Sequence, residues 1–386
     1  MHCLIISTTA EGGSLGAAAL SDALEALHEG FDVILATGRG GMPAALRGRR
    51  VRHIRIGGAV DAGVHYLLSR AFDGQGNGSV RATREFLDKI RNINPRRIIF
   101  HNLHGHYLNL PLFAEWMLSQ ARKGSEIIWR AHDFWPVTGH CAFLPAEGCP
   151  RFGEKCGCHD CPMAGAYPKT LIDRSAANYA RKRRLLEPLA PYMEIRAVSR
   201  WQAELLKKSF LGKARITVRH PDIDPVYHQT HEAGPRAGFA LAVAYPWQKY
   251  KGYNDLTAIR KALPQEMDLV VVGLDNKQTL RLSGSGIICV PRVKKAEELA
   301  WYYRQAGVFI SPSYAETYGM AIREAAACGT PVVAYGVGGV HEGLEANPLF
   351  HSVPYGDAGS LAVAAAMTAI TPPPLDNTLK TSYLPG

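Results

Sequence analysis

A chain of 386 residues is long enough for two domains of ordinary size. With 47% apolar and 20% charged residues it can bury a sizeable core, which excludes wholesale disorder. The formal charge of +10 favours an acidic partner: nucleic acid, anionic lipid or a phosphorylated substrate. No apolar run approaches the roughly 20 residues that span a bilayer. Met1 to Ser7 lacks a basic leader and reads as a first strand, so a cytoplasmic location is expected.

Leu4 to Ser7 reads as a buried strand, followed by a glycine-rich loop, a helix to about Leu27 and a strand over Phe31 to Ala36. Strand, glycine loop, helix, strand begins an open parallel sheet. Gly12, Gly13 and Gly16 either turn backbone N–H groups toward a ligand or make a plain tight turn. Arg47, Arg49, Arg50, Arg52 and Arg55 surround the next strand, as a solvated face or a phosphate-binding cluster. Residues 71–80 read as a loop leading to a helix through Asn92, and Arg97 to Phe100 as a strand. That strand ends in His101, His104 and His106, on the edge of a parallel sheet that bears ligands. Alternation along an extended segment separates His101 from the other two, which favours cleft-lining groups over metal ligands. Ile127 to Arg130 is the following strand, with His132 and Asp133 at the same edge.

Residues 134–167 show no convincing period yet hold five of the eight cysteines. Cys158-His-Asp-Cys161 has the spacing of a zinc knuckle, and Cys141 with Cys149 completes four ligands. A structural zinc that clamps the insert and a set of reduced packing thiols are level alternatives; Cys156 adds a fifth thiol. Ile172 to Glu187 reads as a helix carrying Arg174, Arg181, Lys182, Arg183 and Arg184. Joined by Lys207 and Lys208, these form a solvated face or a surface that docks on anionic lipid. A strand over Glu194 to Ser199, a helix over Arg200 to Phe210 and a strand over Ile216 to Arg219 follow. The proline-flanked His220 to Pro225 is a linker, although Asp222-Ile-Asp224 spells an Asp-x-Asp metal motif.

After a polar loop over Thr230 to Gly238 the pattern restarts with a strand over Phe239 to Tyr245 and a loop containing Lys249, Lys251 and Gly252. A lysine on a glycine-bounded loop at a strand's C-terminal edge can neutralise a diphosphate. A helix to Leu263, strands over Leu269 to Val272 and Ile287 to Val290, and a helix over Ala296 to Ala306 are expected next. Val308 to Ile310 then forms a strand stopped by Ser311-Pro-Ser, with Thr317 available to cap a helix that Gly329 and Pro331 end. Free N–H groups near Tyr318, Gly319 and Met320 welcome a phosphate. Glu316 and Glu324 beside it suit the paired hydroxyls of a sugar or ribose. Phosphate plus diols describes a sugar nucleotide. A last helix covers Ala358 to Ala369.

Glu316 and Glu324, with seven residues between them and Ala327-Cys-Gly-Thr-Pro-Val-Val333 beyond, resemble the Glu-x7-Glu signature of retaining family-4 glycosyltransferases. Thr138-Gly-His-Cys141, Cys158-His-Asp-Cys-Pro162 and Tyr167-Pro168 narrow the resemblance to the colanic-acid and exopolysaccharide subgroup. The resemblance implies an α/β GT-B fold of two Rossmann-like domains around an interdomain cleft. Residues 1–220 would bind the acceptor and carry the Cys-rich insert, 221–370 would bind the nucleotide sugar, and 371–386 would return to the first domain. It further implies a hexosyl transfer from a nucleoside-diphosphate sugar to a lipid-linked oligosaccharide, with retention and with no cofactor required for catalysis. The enzyme would sit on the inner face of the cell membrane and bind no nucleic acid. By this resemblance Glu316 lies by the donor sugar, His132 contacts the hexose, Lys251 neutralises the diphosphate and Glu324 holds the ribose. Gly12, Gly13 and the amides of Tyr318, Gly319 and Met320 face the donor. Lys249 would stand in for an arginine that the family carries where this chain has Pro246. The rival readings are a GT-B epimerase or phosphorylase and a non-catalytic sugar-nucleotide-binding protein.

Overall fold

The computed structural model describes residues 1–144, 149, 151–152, 157–165, 167–228 and 236–369. The chain divides into two compact units, Met1–Pro221 and Asp222–Gly386. The first holds β1 (His2–Ser7), α1 (Gly13–His28), β2 (Asp32–Thr37), β3 (Val51–Arg55), α2 (Ala59–Phe72), α3 (Val80–Ile90), β4 (Arg97–Phe100) and α4 (Leu110–Arg122). It continues with β5 (Glu126–Ala131), α5 (Ser175–Leu186), β6 (Met193–Ala197), α6 (Arg200–Lys207) and β7 (Arg215–Val218).

These strands form a seven-stranded sheet in the order β3-β2-β1-β4-β5-β6-β7, parallel throughout. Both faces are covered, as a parallel sheet requires. Leu4 and Ile6 of β1 enter one core with Ile34, Ile98, Phe100 and Trp129. Their neighbours Cys3 and Ile5 point the other way, into a core with Val33, Leu35 and Ile99 against Ala19, Ala23 and Ala26 of α1. Small residues on α1 let it lie close to the sheet.

The second unit holds β8 (Ala237–Val243), α7 (Leu256–Ala262), β9 (Leu269–Val272), α8 (Asn276–Arg281), β10 (Ile287–Val290) and α9 (Ala296–Gln305). Then come β11 (Ala306–Ser311), α10 (Met320–Ala327), β12 (Val332–Tyr335), β13 (Phe350–Val353) and α11 (Ala358–Thr368). Its six-stranded parallel sheet runs β10-β9-β8-β11-β12-β13.

Each sheet reverses direction once. In the first unit the chain winds outward from β1 through β2 to β3 and returns on the other side at β4; in the second it winds from β8 to β10 and returns at β11. Loops leaving adjacent strands at such a reversal diverge and leave a crevice beyond the strand ends. The sequence-level reading lacks α2, α4, α8 and β13, and the helix expected from Ile172 begins at Ser175. Asp173 explains that start, since its Oδ1 accepts from the Ser175 N–H at 2.8 Å and turns the chain into the helix. Most of the polar loop expected over Thr230 to Gly238, and the tail beyond 369, lie outside the described residues.

Candidate functional site

In the second unit the reversal between β8 and β11 brings Lys251 and Glu316 together. Lys251 ends a short 3-10 turn after β8, and its Nζ lies 2.6 Å from Glu316 Oε1 in the loop after β11. Both side chains are mostly buried, 22% and 14% exposed, so the pair is less screened than one on the surface. Gly252 makes the approach possible. Its φ is 78°, and a Cβ there would stand 2.0 Å from the carbonyl oxygen of Pro312. The Tyr314 N–H donates to Tyr250 O at 2.8 Å, clasping the two loops a second time. Lys249 is exposed on the same turn.

Helix α10 follows with Gly319 as its N-cap, at φ 80°. The N-cap position is therefore Gly319 and not Thr317. The helix begins at Met320, two residues later than a cap at Thr317 implies. The amides without an intrahelical partner are those of the first turn, from Gly319 onward. Tyr318 instead lays its ring against the Arg323 guanidinium, 3.8 Å from the ring centre. Arg323 is buried and donates to Gly339 O and Val340 O, which ties α10 to the glycine turn after β12. The Gly339 N–H donates to Glu316 O at 3.2 Å.

Glu324 lies in the second turn of α10, and its Oε2 accepts from the Tyr303 hydroxyl at 3.0 Å. Burial pushes its carboxyl up to about 7, against the stabilising hydrogen bond from Tyr303 and assisted by the nearby charge of Asp224. Asp255 Oδ2 accepts from both Tyr314 and Tyr335, at 2.8 and 3.0 Å. Lys251, Glu316, Glu324 and the start of α10 thus share one strand edge of the second unit. Tyr303, Arg323, Asp255 and the close contact at Gly252 were not singled out from the sequence. An isolated Arg inside the apolar face of α10 was the available signal for Arg323.

In the first unit the reversal between β1 and β4 gathers a histidine chain. His101, at the end of β4, shares a hydrogen bond with His132 after β5, Nδ1 to Nε2 at 2.9 Å, with the two rings stacked. The other side of His101 faces Asp22 of α1, Nε2 to Oδ2 at 3.3 Å, and Arg130 Nε lies 3.2 Å from the same oxygen. A proton on His101 Nε2 makes its Nδ1 the acceptor and His132 Nε2 the donor. Burial, reinforced by Arg130, pushes His132 down to about 4, so it is neutral at neutral pH. Burial pushes the Asp22 carboxyl up, opposed by Arg130. Asp22 escaped notice in the sequence. A charged residue among Ala18, Ala19, Ala23 and Ala26 on the buried face of an alanine-rich helix was its signal.

Asp133 organises its neighbours: Oδ2 accepts from Asn102 and pairs with His104 Nε2, each at 2.7 Å, and Oδ1 accepts from Trp135 N at 2.9 Å. Burial raises this carboxyl, but the charge of His104 and these hydrogen bonds outweigh it and the net shift is downward. Gly12 and Gly13 both take positive φ, 68° and 67°, where α1 begins.

Cys141 hydrogen-bonds to Cys161, which brings the Cys161 thiol down to about 7 and pushes Cys141 up. Cys158 Sγ accepts from Gly139 N at 3.0 Å, and burial pushes this thiol up to about 11. Cys149 and Cys158 both act on Cys141 electrostatically, so the four thiols share a neighbourhood. Among the described residues, however, no group of three or more His, Cys, Asp or Glu side chains is arranged to hold a metal ion. Cys156 lies outside the described residues.

The basic helix α5 buries one of its cations. Lys182 is not on its surface: the side chain is 1% exposed, donates to Trp135 O at 2.6 Å and Thr138 O at 3.0 Å, and lies 3.5 Å from the centre of a Trp135 ring. Sequence spacing alone could not show that this position faces the insert.

Two parallel-sheet, Rossmann-like units of this kind are the architecture of GT-B glycosyltransferases. WaaG, a glycosyltransferase involved in lipopolysaccharide biosynthesis, superposes with a TM-score of 0.61 over 99% of this chain and 93% of its own, at 13% identity. Anabaena Alr3699/HepE in complex with UDP-glucose gives 0.60 over 99% and 92%, at 14% identity. Residues 239–369 match the family Glycosyl transferases group 1, so the second unit is a domain of that family. The putative colanic acid biosynthesis glycosyl transferase WcaC of Escherichia coli (strain K12) is 26% identical over 342 residues, covering 84% of this chain and 80% of that protein. The D-inositol 3-phosphate glycosyltransferase of Arthrobacter sp. (strain FB24) is 51% identical over 164 residues, 37% of this chain and 39% of that relative.

Proposed function

We propose that the protein is a retaining glycosyltransferase that moves a hexose from a nucleoside-diphosphate sugar to a lipid-linked saccharide in exopolysaccharide or lipopolysaccharide assembly. The observation that carries this is the Lys251–Glu316 pair at the strand edge of the group 1 domain, with Glu324 and the first turn of α10 beside it. UDP and UDP-glucose in complexes of HepE, and the colanic acid role in the name of WcaC, support a nucleotide-sugar donor and a polysaccharide product.

In this reading the donor diphosphate replaces Glu316 as the partner of Lys251 and accepts from the amides at the start of α10. The carboxylate of Glu316, released from the lysine, turns to the donor sugar, and Glu324 accepts from the ribose hydroxyls. As the bond between the anomeric carbon and the diphosphate oxygen breaks, charge grows on that oxygen. Lys251 and the oriented amides meet it without reorganisation, the role a divalent cation fills in other enzymes. The acceptor hydroxyl attacks from the same face and passes its proton to the departing oxygen, so configuration is retained. His132, held by His101, meets the hexose as a neutral donor or acceptor. The four thiols of the insert serve structure, and as thiolates they would hold a zinc ion if they close to tetrahedral distances.

The test is transfer or donor hydrolysis across a panel of nucleoside-diphosphate sugars, with and without chelator. Glu316→Ala and Lys251→Met should each lower kcat/KM by on the order of a hundredfold or more. Activity that vanishes with chelator would refute metal independence. Full activity in Glu316→Ala would refute the assignment of the site. An isomerised donor, or a sugar phosphate, would identify an epimerase or a phosphorylase.

A further inference from the structure

Helix α2 is inside out. Of its fourteen residues only His65 and Ser69 are buried. His65 bonds inward to Ser79 Oγ at 2.9 Å and accepts from Gly76 N at 3.1 Å. The apolar side chains face outward: Val60 is 82% exposed, Val64 55%, Leu67 64% and Phe72 52%. Val60, Val64 and Leu67 lie along one side of about 10 Å of helix, and Phe72 is exposed at its C-terminal end. A second apolar projection adjoins the C-terminal end, where the Leu171 N–H donates to Arg70 O at 2.9 Å and leaves Leu171 75% and Ile172 49% exposed. Water is a poor solvent for such a continuous apolar stripe, and a helix that turns its polar residues inward has been shaped for something other than water.

What borders the stripe tells which partner. A cavity of about 290 Å³ opens between α2 and α5, walled on one side by Leu68 and Phe72 and on the other by Arg174 and Arg181. Arg181 Nε is buried there with no hydrogen-bond partner. Arg184, one turn beyond Arg181, continues the basic row into solvent. Apolar surface flanked by guanidinium groups with donors to spare fits an amphiphile that carries a phosphate. A second copy of the chain would bring the same arginines face to face across a two-fold contact.

We propose that this face of the first unit docks on an anionic bilayer, with the α2 stripe and Leu171 entering the acyl boundary and Arg174, Arg181 and Arg184 taking lipid phosphates. The purpose of this docking rests on the lipid-linked acceptor named above, but the docking itself does not depend on catalysis. It would hold the acceptor-binding unit at the surface where the acceptor's lipid is embedded.

The experiment uses the full chain with vesicles of phosphatidylcholine alone or mixed with phosphatidylglycerol, at low and high salt. Three proteins are compared: wild type, Val64→Glu with Leu67→Glu, and Arg174→Glu with Arg184→Glu. The wild type should sediment with the anionic vesicles, and less so at high salt. Removing each arginine should weaken partition by about fivefold or more. The glutamate pair on α2 should abolish partition at either salt, while the thermal shift produced by donor nucleotide sugar stays as in wild type. Retained donor response with unchanged partition overturns the docking face and leaves the proposed transferase intact. Failure of the wild type to bind, or equal binding by all three proteins, overturns it as well. So does a dimer of the wild type that the α2 variant dissociates without any change in vesicle binding, which would make the stripe a contact between copies.

Discussion

The environment of Glu324 yields a test that needs no substrate. Its carboxyl has an ordinary value of 4.5 and is pushed up to about 7 by burial, Tyr303 opposing and Asp224 assisting. A group whose folded value is raised contributes stability that is fully present below the unfolded value and is lost as pH rises through the folded one. The window is therefore about pH 4.5 to 7, and above it the unliganded protein carries a buried carboxylate at a cost. At about 1.36 kcal/mol per pH unit the displacement amounts to about 3 kcal/mol, an upper bound because the residue keeps some solvent contact. Glu324→Gln keeps the shape of the protonated acid and cannot ionise. The melting temperature of the variant minus that of wild type, both without ligand, should be small near pH 5 and rise to a plateau above pH 8. For a unit of this size the plateau is worth roughly 6 to 12 °C. Affinity for donor should move the opposite way, because a ribose diol needs the acceptor-only carboxylate. A difference in melting temperature that is flat from pH 5 to 8.5 would refute the reasoning.

Two further substitutions probe the scaffold around the two strand reversals. Gly252→Ala puts a methyl group into the Pro312 carbonyl and strains a positive φ. It should destabilise the second unit by about 2 to 4 kcal/mol in urea melts and raise the donor KM, because the Lys251 and Glu316 loops can no longer touch. Lys182→Met keeps the aliphatic stem but removes the ammonium donor shared by the Trp135 and Thr138 carbonyls. It should cost about 1 to 3 kcal/mol; a loss below a few tenths would mean that these bonds contribute little.

Most of the second unit's site was legible because its signals are local. Glu316 and Glu324 sit on one strand–loop–helix unit, and a glycine after Lys251 announces a turn whatever the remainder of the chain does. The same local reading misplaced the start of α10, where Gly319 and not Thr317 caps the helix, because backbone conformation at a cap depends on what packs against it. It missed α2 altogether, since a helix with polar residues inward violates the pattern by which amphipathic helices are recognised. It also set Lys182 on the surface, although its partners lie 44 and 47 residues away in the chain.

The amino-acid sequence alone determined the alternation of strands and helices, hence two parallel sheets, and the residue types gathered at the candidate site of the second unit. Those features follow from periodicity and turn chemistry, which act over a few neighbours. Only the tertiary structure decided that Lys251 meets Glu316, that Asp22 stands behind His101 and His132, and that α2 turns its apolar side outward. Each of these joins segments distant in the chain or depends on which face packing covers, and sequence spacing does not encode either.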